Sequence, residues 1–227
     1  MLSQKNRSGF TLVELLIAIT IVSLLLFTGS YSYSIISERW NKQLGQFNVN
    51  LEHSKKLALL QRVLEGIHPH VIVDSKQSPS FFFIGATDSL LAVSRSGFYS
   101  RTSGEIFRLE SLANENGSFD LIYQASLSDN LLLKGTDQNI TFDTTQTLFQ
   151  NLDKVEFSYY GWASLNAKSA STTNLESWYT SYSGIDRRYT PSKFELVLTQ
   201  QDKTYRVSIA LEQEVSHWLS PYINSDS

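Results

Sequence analysis

The chain has 227 residues, enough for one or two domains with a sizeable hydrophobic core. Its formal net charge is −3 at pH 7 and it has no basic patch of the kind that neutralises phosphates, so we expect no nucleic-acid partner. It contains no cysteine, which excludes disulfide bonds, a thiol nucleophile and cysteine-ligated metal sites.

The first element along the chain is a short polar segment followed by a long apolar one. Residues 1–9 carry Lys5 and Arg7 and no acid, and residues 10–28 are apolar apart from Glu14 and a few hydroxyl side chains. About 20 apolar residues suffice for a helix to cross a bilayer. Because basic residues stay on the cytoplasmic side, we expect Lys5 and Arg7 to set the topology. The sequence therefore predicts a single-pass helix in the lipid bilayer, with the N-terminus cytoplasmic and the rest translocated.

A cleaved secretory signal peptide would share the basic start and the apolar core. We favour a retained helix, because the apolar run is long and Thr28-Gly29-Ser30, the nearest candidate cleavage site, is weak. A helical pattern also continues beyond that point.

The start of the apolar segment carries a recognisable motif. Residues 9–19 (GFTLVELLIAI) resemble the class III signal of type IV pilins and type II secretion pseudopilins. In that family, prepilin peptidase cleaves after the glycine and methylates the new N-terminal phenylalanine. The resemblance implies that residues 1–9 are a leader peptide, that cleavage falls between Gly9 and Phe10, and that Phe10 is N-methylated.

Glu14 is a carboxylate inside a membrane-length apolar run, a costly arrangement that marks a functional position by default. A glutamate in hydrocarbon either takes a proton or finds a cation. Cleavage creates an amine at Phe10, and residues four apart lie on one face of a helix. Glu14 could pair with its own N-terminus or with that of a neighbouring subunit. The resemblance implies the neighbour's amine, which sets subunit register in a filament.

Beyond the membrane segment, residues 29–67 show the period of an amphipathic helix. The apolar positions recur at spacings of three and four: Ile36, Trp40, Leu44, Phe47, Leu51, Leu57, Leu60, Leu64 and Ile67. Pro69 ends the pattern. We predict a helical stalk, either continuous or with a separate short helix from Leu57, whose second half packs on a globular head in the lollipop shape of a pilin.

From Val71 the period changes to two, which predicts an antiparallel β head over residues 71–219 and a flexible tail over residues 220–227. The clearest strands are those of Phe119–Tyr123, Val155–Tyr159 and Tyr205–Leu211, and Phe194–Leu198 should form a hairpin with the last of these. Weaker strand candidates are Phe81–Ile84, Leu90–Ser94, Glu105–Leu109, Leu131–Leu133 and Asn139–Phe142. Helix and sheet together predict an α+β fold.

A long connection over residues 163–191 is rich in Ser, Thr and Asn yet contains several aromatic residues. Connections of this length are commonly functional or disordered. Trp178, Tyr179 and Tyr182 could form a partner interface, since Trp and Tyr dominate binding hot spots. They could equally cover a sheet edge and build core. We expect Trp162 to belong to the core, because it continues the Tyr159 strand.

No constellation in the sequence supports catalysis, a metal site or a cofactor. His68-Pro69-His70 offers two ligands without a nearby carboxylate, so a turn is the favoured interpretation. Residues 114–120 (NENGSFD) do not follow the EF-hand spacing and also predict a turn. We therefore predict a structural protein without enzymatic activity.

Within the family, the head most resembles that of the J-type minor pseudopilin. The resemblance rests on residues 57–67 (LALLQRVLEGI), 88–95 (DSLLAVSR) and 152–160 (LDKVEFSYY), on Trp162 and Trp178, and on the terminal hairpin. It implies a subunit at the tip of a type II secretion pseudopilus in the bacterial inner membrane. Its implied partners are prepilin peptidase, other minor and major pseudopilins or pilins, and the inner-membrane assembly platform. The alternative is a minor pilin of a type IV, mannose-sensitive-type pilus.

Overall fold

The computed structural model describes residues 11–73, 78–98, 103–128, 133, 138–170, 175–212 and 216–219, and for residues 43–46 and 48–50 the backbone only. It has the predicted α+β architecture: a long N-terminal helix is followed by antiparallel sheets. Internal contacts divide the chain into two compact units, Met1–His53 and Ser54–Ser227.

The helices are α1 (Leu12–Glu65), α2 (Leu165–Ser169) and α3 (Gly184–Arg187), with a short 3-10 helix at Ser216–Leu219. The strands are β1 (Val71–Val73), β2 (Pro79–Phe81), β3 (Phe83–Gly85), β4 (Ser89–Ser94), β5 (Glu105–Ala113), β6 (Phe119–Leu127), β7 (Thr144–Leu152), β8 (Lys154–Gly161), β9 (Ser177–Tyr179), β10 (Tyr182–Ser183), β11 (Lys193–Gln200) and β12 (Lys203–Ala210).

Helix α1 runs without interruption from the apolar segment into the amphipathic one. Of the two alternatives for residues 57–67, the continuous helix is therefore the observed one. Leu60, Val63 and Leu64 are completely buried in the second unit, where the amphipathic period predicted a core face. The helix ends at Glu65, and the Gly66 amide donates back to the carbonyl oxygens of Arg62 and Val63.

The second unit contains two main sheets. One has six strands in the order β10-β3-β4-β5-β6-β7, and the other has four in the order β12-β11-β8-β9. A single apolar cluster joins residues of α1 with the inward faces of both sheets, including Phe107, Tyr123, Tyr159 and Phe194. The alternation that predicted strands from residues 119, 155, 194 and 205 is thus confirmed, because each of these strands buries one face and leaves the other open.

The hairpin of β11 and β12 is confirmed, with register Gln200↔Lys203 and a two-residue loop. Strand β4 lies where residues 90–94 predicted it, and β5 extends the predicted segment to Ala113. The segment 114–118 forms the predicted turn, in which Asn114 Oδ1 accepts from the amides of Asn116 and Ser118, 3.1 Å away in both cases.

Three strand predictions differ from the structure. Phe81–Ile84 is not one strand: Phe82 separates β2 from β3, and its amide donates to the carbonyl oxygen of His70 at 2.8 Å. Residues 139–142 belong to no strand, and the Thr141 carbonyl oxygen accepts from the Ser126 hydroxyl at 3.0 Å instead of from a neighbouring strand's amide. Of residues 131–133, only Leu133 is described, and it is buried outside any strand.

Strand β7 was not predicted at all. Its first four residues, TTQT, are polar, and its pairing with β6 shifts register on either side of Leu121. A register shift of this kind interrupts the alternation of buried and exposed side chains, so period two is lost from the sequence.

Candidate functional site

The N-terminus of α1 is closed by a reciprocal pair of hydrogen bonds between Thr11 and Glu14. The Glu14 carboxylate accepts from the Thr11 amide at 2.9 Å and from its hydroxyl at 3.0 Å. The Glu14 amide in turn donates to the Thr11 hydroxyl oxygen at 3.3 Å. This is a capping box, which satisfies two amides that have no partner inside the helix. The Thr-x-x-Glu spacing carried this signal, but our sequence analysis did not identify Thr11.

The apolar side chains of the first half of α1 are exposed in the isolated chain. Large apolar side chains from Leu12 to Phe27 are all more than half exposed, from 51% at Ile17 to 79% at Leu12. Leu12–Lys42 is long and apolar enough to cross a bilayer, although a signal sequence near an N-terminus meets the same criteria of length and composition. A surface of this kind requires lipid or other apolar helices around it.

Four of the predicted site residues, Lys5, Arg7, Gly9 and Phe10, lie outside the described residues. Glu14 is described and is solvent-exposed in the isolated chain. Its carboxylate is held in the first turn of the helix by Thr11, close in sequence to residue 10.

The aromatic residues of the 163–191 segment divide between surface and core. Trp178 is 52% exposed on β9, and its ring lies 5.2 Å from that of Tyr160 on β8. Tyr182 is 1% exposed, and its hydroxyl donates to the carbonyl oxygen of Trp162 at 2.9 Å. Of the two alternatives left open for Tyr182, a partner interface or core, its burial in the isolated chain favours core.

Tyr179 and Tyr182 share one cation. The guanidinium carbon of Arg187 lies 4.0 Å from the ring centre of Tyr179 and 4.4 Å from that of Tyr182. Burial is the main cause that raises the pKa of Tyr182 above its ordinary value, so its hydroxyl remains a neutral donor. Cation–π contacts of this kind stabilise residues 175–191, which contain buried side chains.

Trp162, expected in the core, is half-buried and packs against a small separate cluster of Phe81, Tyr189 and Leu219. Tyr189 is 1% exposed, and its hydroxyl is hydrogen-bonded to Lys168 of α2. The 163–191 segment thus contributes two fully buried tyrosines to the head.

His68 and His70 flank Pro69 where the chain passes from α1 into β1, in an irregular segment that follows the turn at Gly66. The two rings meet edge to face with centroids 6.3 Å apart. Burial lowers the pKa of both rings, and for His68 nearby Arg95 and His70 lower it further, to about 4. Both histidines are therefore neutral at pH 7. Among the described residues, no group of three or more His, Asp or Glu side chains could hold a metal ion.

Comparison with known proteins identifies the N-terminal segment. Residues 4–29 match the family described as the prokaryotic N-terminal methylation motif. No curated protein sequence matches the chain. The match includes the residues of the predicted cleavage site and the whole apolar segment over residues 10–28. The motif, together with a helix long enough to be a single membrane anchor, indicates a protein of the type IV pilin or pseudopilin kind, which prepilin peptidase cleaves and which assembles with other pilins.

Proposed function

We propose that this protein is a minor pseudopilin, a structural subunit at the tip of a type II secretion pseudopilus that helps to initiate the filament. The observation that carries the proposal is the methylation motif over residues 4–29, continuous with an apolar helix whose side chains are exposed. The loose resemblance of the head to J-type minor pseudopilins supports this subtype.

In this proposal residues 1–9 are a leader and residues 10–28 are the membrane and filament-core helix. Residues 29–67 are the stalk, residues 71–219 are a periplasmic head, and residues 220–227 are a tail. Lys5 and Arg7 keep the N-terminus on the cytoplasmic side of the inner membrane. Cleavage between Gly9 and Phe10 exposes an amine, which is then methylated.

Glu14 in this proposal pairs with the Phe10 amine of the neighbouring subunit. Its position supports the pairing, because the hydrogen bonds to Thr11 hold the carboxylate in the first turn of α1. A buried ion pair adds little net stability, but leaving one partner unpaired in an apolar filament core is strongly unfavourable. The pair therefore selects one register and rejects others.

Processing tests the proposal most directly. When the full chain is co-expressed with prepilin peptidase, we expect the intact mass to show loss of residues 1–9 and the gain of one methyl group. Gly9→Val should abolish the cleaved product. Gly29→Ala is the matched control, because no atom within 4 Å would meet the added methyl group and cleavage should be unchanged. Cleavage elsewhere, or normal cleavage of Gly9→Val, would refute the assignment.

The second candidate function is adhesion by a minor pilin of a type IV, mannose-sensitive-type pilus. Trp178 favours it, because an exposed Trp in tilted ring contact with Tyr160, with Lys193 5.6 Å from the Tyr160 ring centre, has the composition of a binding hot spot. Tyr179, half-buried beside Arg187, would lie at the edge of the binding surface around Trp178.

Trp178→Ala separates the two functions. Deleting residues 163–191 would not do so, since it would remove the buried Tyr182 and Tyr189. An adhesive minor pilin should lose surface attachment and keep its filaments, whereas a tip pseudopilin should keep secretion and filament number. Leu112→Ala, at a 44% exposed position on β5, is the control and should change neither readout.

A further inference from the structure

A cleft in the second unit brings together residues that the pilin-like function does not use. A cavity of about 370 Å³ is lined by His68, His70, Arg95 and the apolar side chains of Val93, Ile106 and Leu133, among others. A wider groove of about 610 Å³ shares His68, His70 and Arg95 and continues to Trp218. Small-molecule sites typically measure about 300–1,000 Å³, so the space suits a small ligand or the end of a peptide.

The polar residues of this cleft are held by the backbone. Ile67 and Ser94 form an isolated antiparallel bridge, the His68 amide donates to the Val93 carbonyl oxygen at 3.2 Å, and the Arg95 amide donates to that of Gly66 at 2.8 Å. These bonds place residues 68–70 directly beside the end of β4. A site on such a frame is organised before any ligand arrives.

The imidazole of His68 is a second polar group of the cleft. It is half-buried and lines both the cavity and the groove together with Arg95. The ring is neutral at pH 7 and carries one N–H, which can donate to an anionic oxygen.

Arg95 supplies the positive charge of the cleft, and its ion pair with Glu212 is weak. Its side chain is 60% exposed, and its Nη2 lies 4.0 Å from Oε2 of Glu212. The other Glu212 oxygen accepts from the indole N–H of Trp218 at 3.1 Å. An exposed ion pair of this length contributes little, so a ligand anion can replace Glu212 beside Arg95.

We propose that this cleft binds a carboxylate attached to an apolar group, with the carboxylate on Arg95 and His68 and the apolar group against Val93, Ile106 and Leu133. A planar guanidinium matches the two oxygens of a carboxylate. Among the described residues that line the cleft, Arg95 carries the one fixed positive charge; with both histidines neutral and Glu212 nearby, it suits a singly charged ligand better than a phosphate dianion. Either a small apolar acid or the C-terminus of a partner polypeptide supplies this chemistry.

The experiment follows the NMR signals of the histidine side chains in the full chain, held in detergent micelles. The chain has four histidines, so histidine-selective isotope labelling gives few signals, which single His→Gln variants assign. The probes are N-acetyl-leucine and a short peptide ending in leucine, each compared with its C-terminal amide. We expect saturable shifts of the His68 and His70 signals with both acids. Each amide should bind more weakly than its acid by about tenfold or more, which is the loss typical of one charge-assisted hydrogen bond.

Two variants with opposite expected effects guard against misfolding as an explanation. Arg95→Gln should weaken acid binding at least about tenfold, and Glu212→Gln should strengthen it, because the internal competitor for Arg95 is removed. Arg206→Gln is the matched control, since Arg206 is an equally exposed arginine paired with Glu195 at 3.1 Å on the four-stranded sheet.

The outcomes separate the sources of the carboxylate. Tighter binding of the peptide acid than of N-acetyl-leucine assigns a polypeptide C-terminus, and equal binding assigns a small acid. Equal binding of acids and amides, unchanged binding to Arg95→Gln, or no saturable shift would overturn the proposal. The result does not depend on whether the chain is processed or assembled as a pilin.

Discussion

Replacing Glu14 with Val is expected to leave cleavage after Gly9 intact and to abolish co-assembly with partner subunits. In the proposed function the peptidase acts on the leader and Phe10, whereas the carboxylate is needed only where a neighbour's amine enters an apolar filament core. Without it that amine is buried and unpaired, which typically costs about 3–5 kcal/mol. The measurement is a pull-down of differently tagged pilin-like subunits from detergent extracts, with the N-terminal mass of each variant recorded alongside.

Besides the pairing proposed for it, Glu14 forms the capping box with Thr11 in the structure, and the two contributions can be separated by mutation. Thr11→Ala removes the cap at a cost of about 1 kcal/mol and leaves the carboxylate in place. We expect Thr11→Ala to assemble nearly normally and Glu38→Gln, at an exposed position of α1, to be indistinguishable from wild type. If Thr11→Ala were as defective as Glu14→Val, helix capping and not pairing between subunits would explain the effect.

The largest effect on stability is expected at Tyr159 in β8. Its side chain is completely buried, and its hydroxyl lies 3.0 Å from the carbonyl oxygens of both Ala86 and Ser89 at the ends of β3 and β4. It therefore links the four-stranded sheet to the six-stranded one. Burial raises the pKa of Tyr159 well above its ordinary value, so the phenol stays protonated and remains a donor.

Tyr159→Ala should lower the free energy of unfolding of the head by about 3–5 kcal/mol, the usual cost of removing a buried aromatic ring. Domains are typically stable by only about 5–15 kcal/mol, so this variant should be largely unfolded at moderate urea concentrations. Tyr159→Phe should cost about 0.5–1.5 kcal/mol, because it removes the hydrogen bonding of the hydroxyl to the Ala86 and Ser89 carbonyl oxygens, of which that of Ser89 still accepts from the Ala86 amide. Urea unfolding followed by near-ultraviolet circular dichroism measures both variants.

Tyr160→Phe is the matched control, since Tyr160 is the next residue of β8 and its half-buried ring faces Trp178 on the other side of the sheet. Its effect should stay within about 0.5 kcal/mol. Gly85→Ala should reproduce part of the Tyr159 defect, because an added methyl carbon would lie 2.4 Å from the Tyr159 ring. Equal stability of Tyr159→Phe and Tyr160→Phe would contradict the role of the hydroxyl as a link between sheets.

The sequence determined those features that depend on local order along the chain. The motif from Gly9 to Ile19 is contiguous, so the likeness to pilins was visible without a fold. The alternation in β8, β11 and β12 persists because each strand buries one face against a common core, and period two follows from the geometry of a strand. The capping box was visible in the same way, since Thr11 and Glu14 are three residues apart.

Tertiary structure decided what depends on contacts between distant segments. Strand β7 loses its alternation where its pairing with β6 shifts register, and no local pattern reports a register shift. Trp178 and Tyr182 both lie on edge strands, yet one is exposed and the other buried, because Tyr182 packs against Phe83 and donates to the Trp162 carbonyl oxygen, whereas the described ring contact of Trp178 is with Tyr160. Arg95 lies beside His68 and His70 because the bridge between Ile67 and Ser94 brings these two segments together. Such contacts form because burying a common core brings the segments together, and the spacing of residues in the chain does not record them.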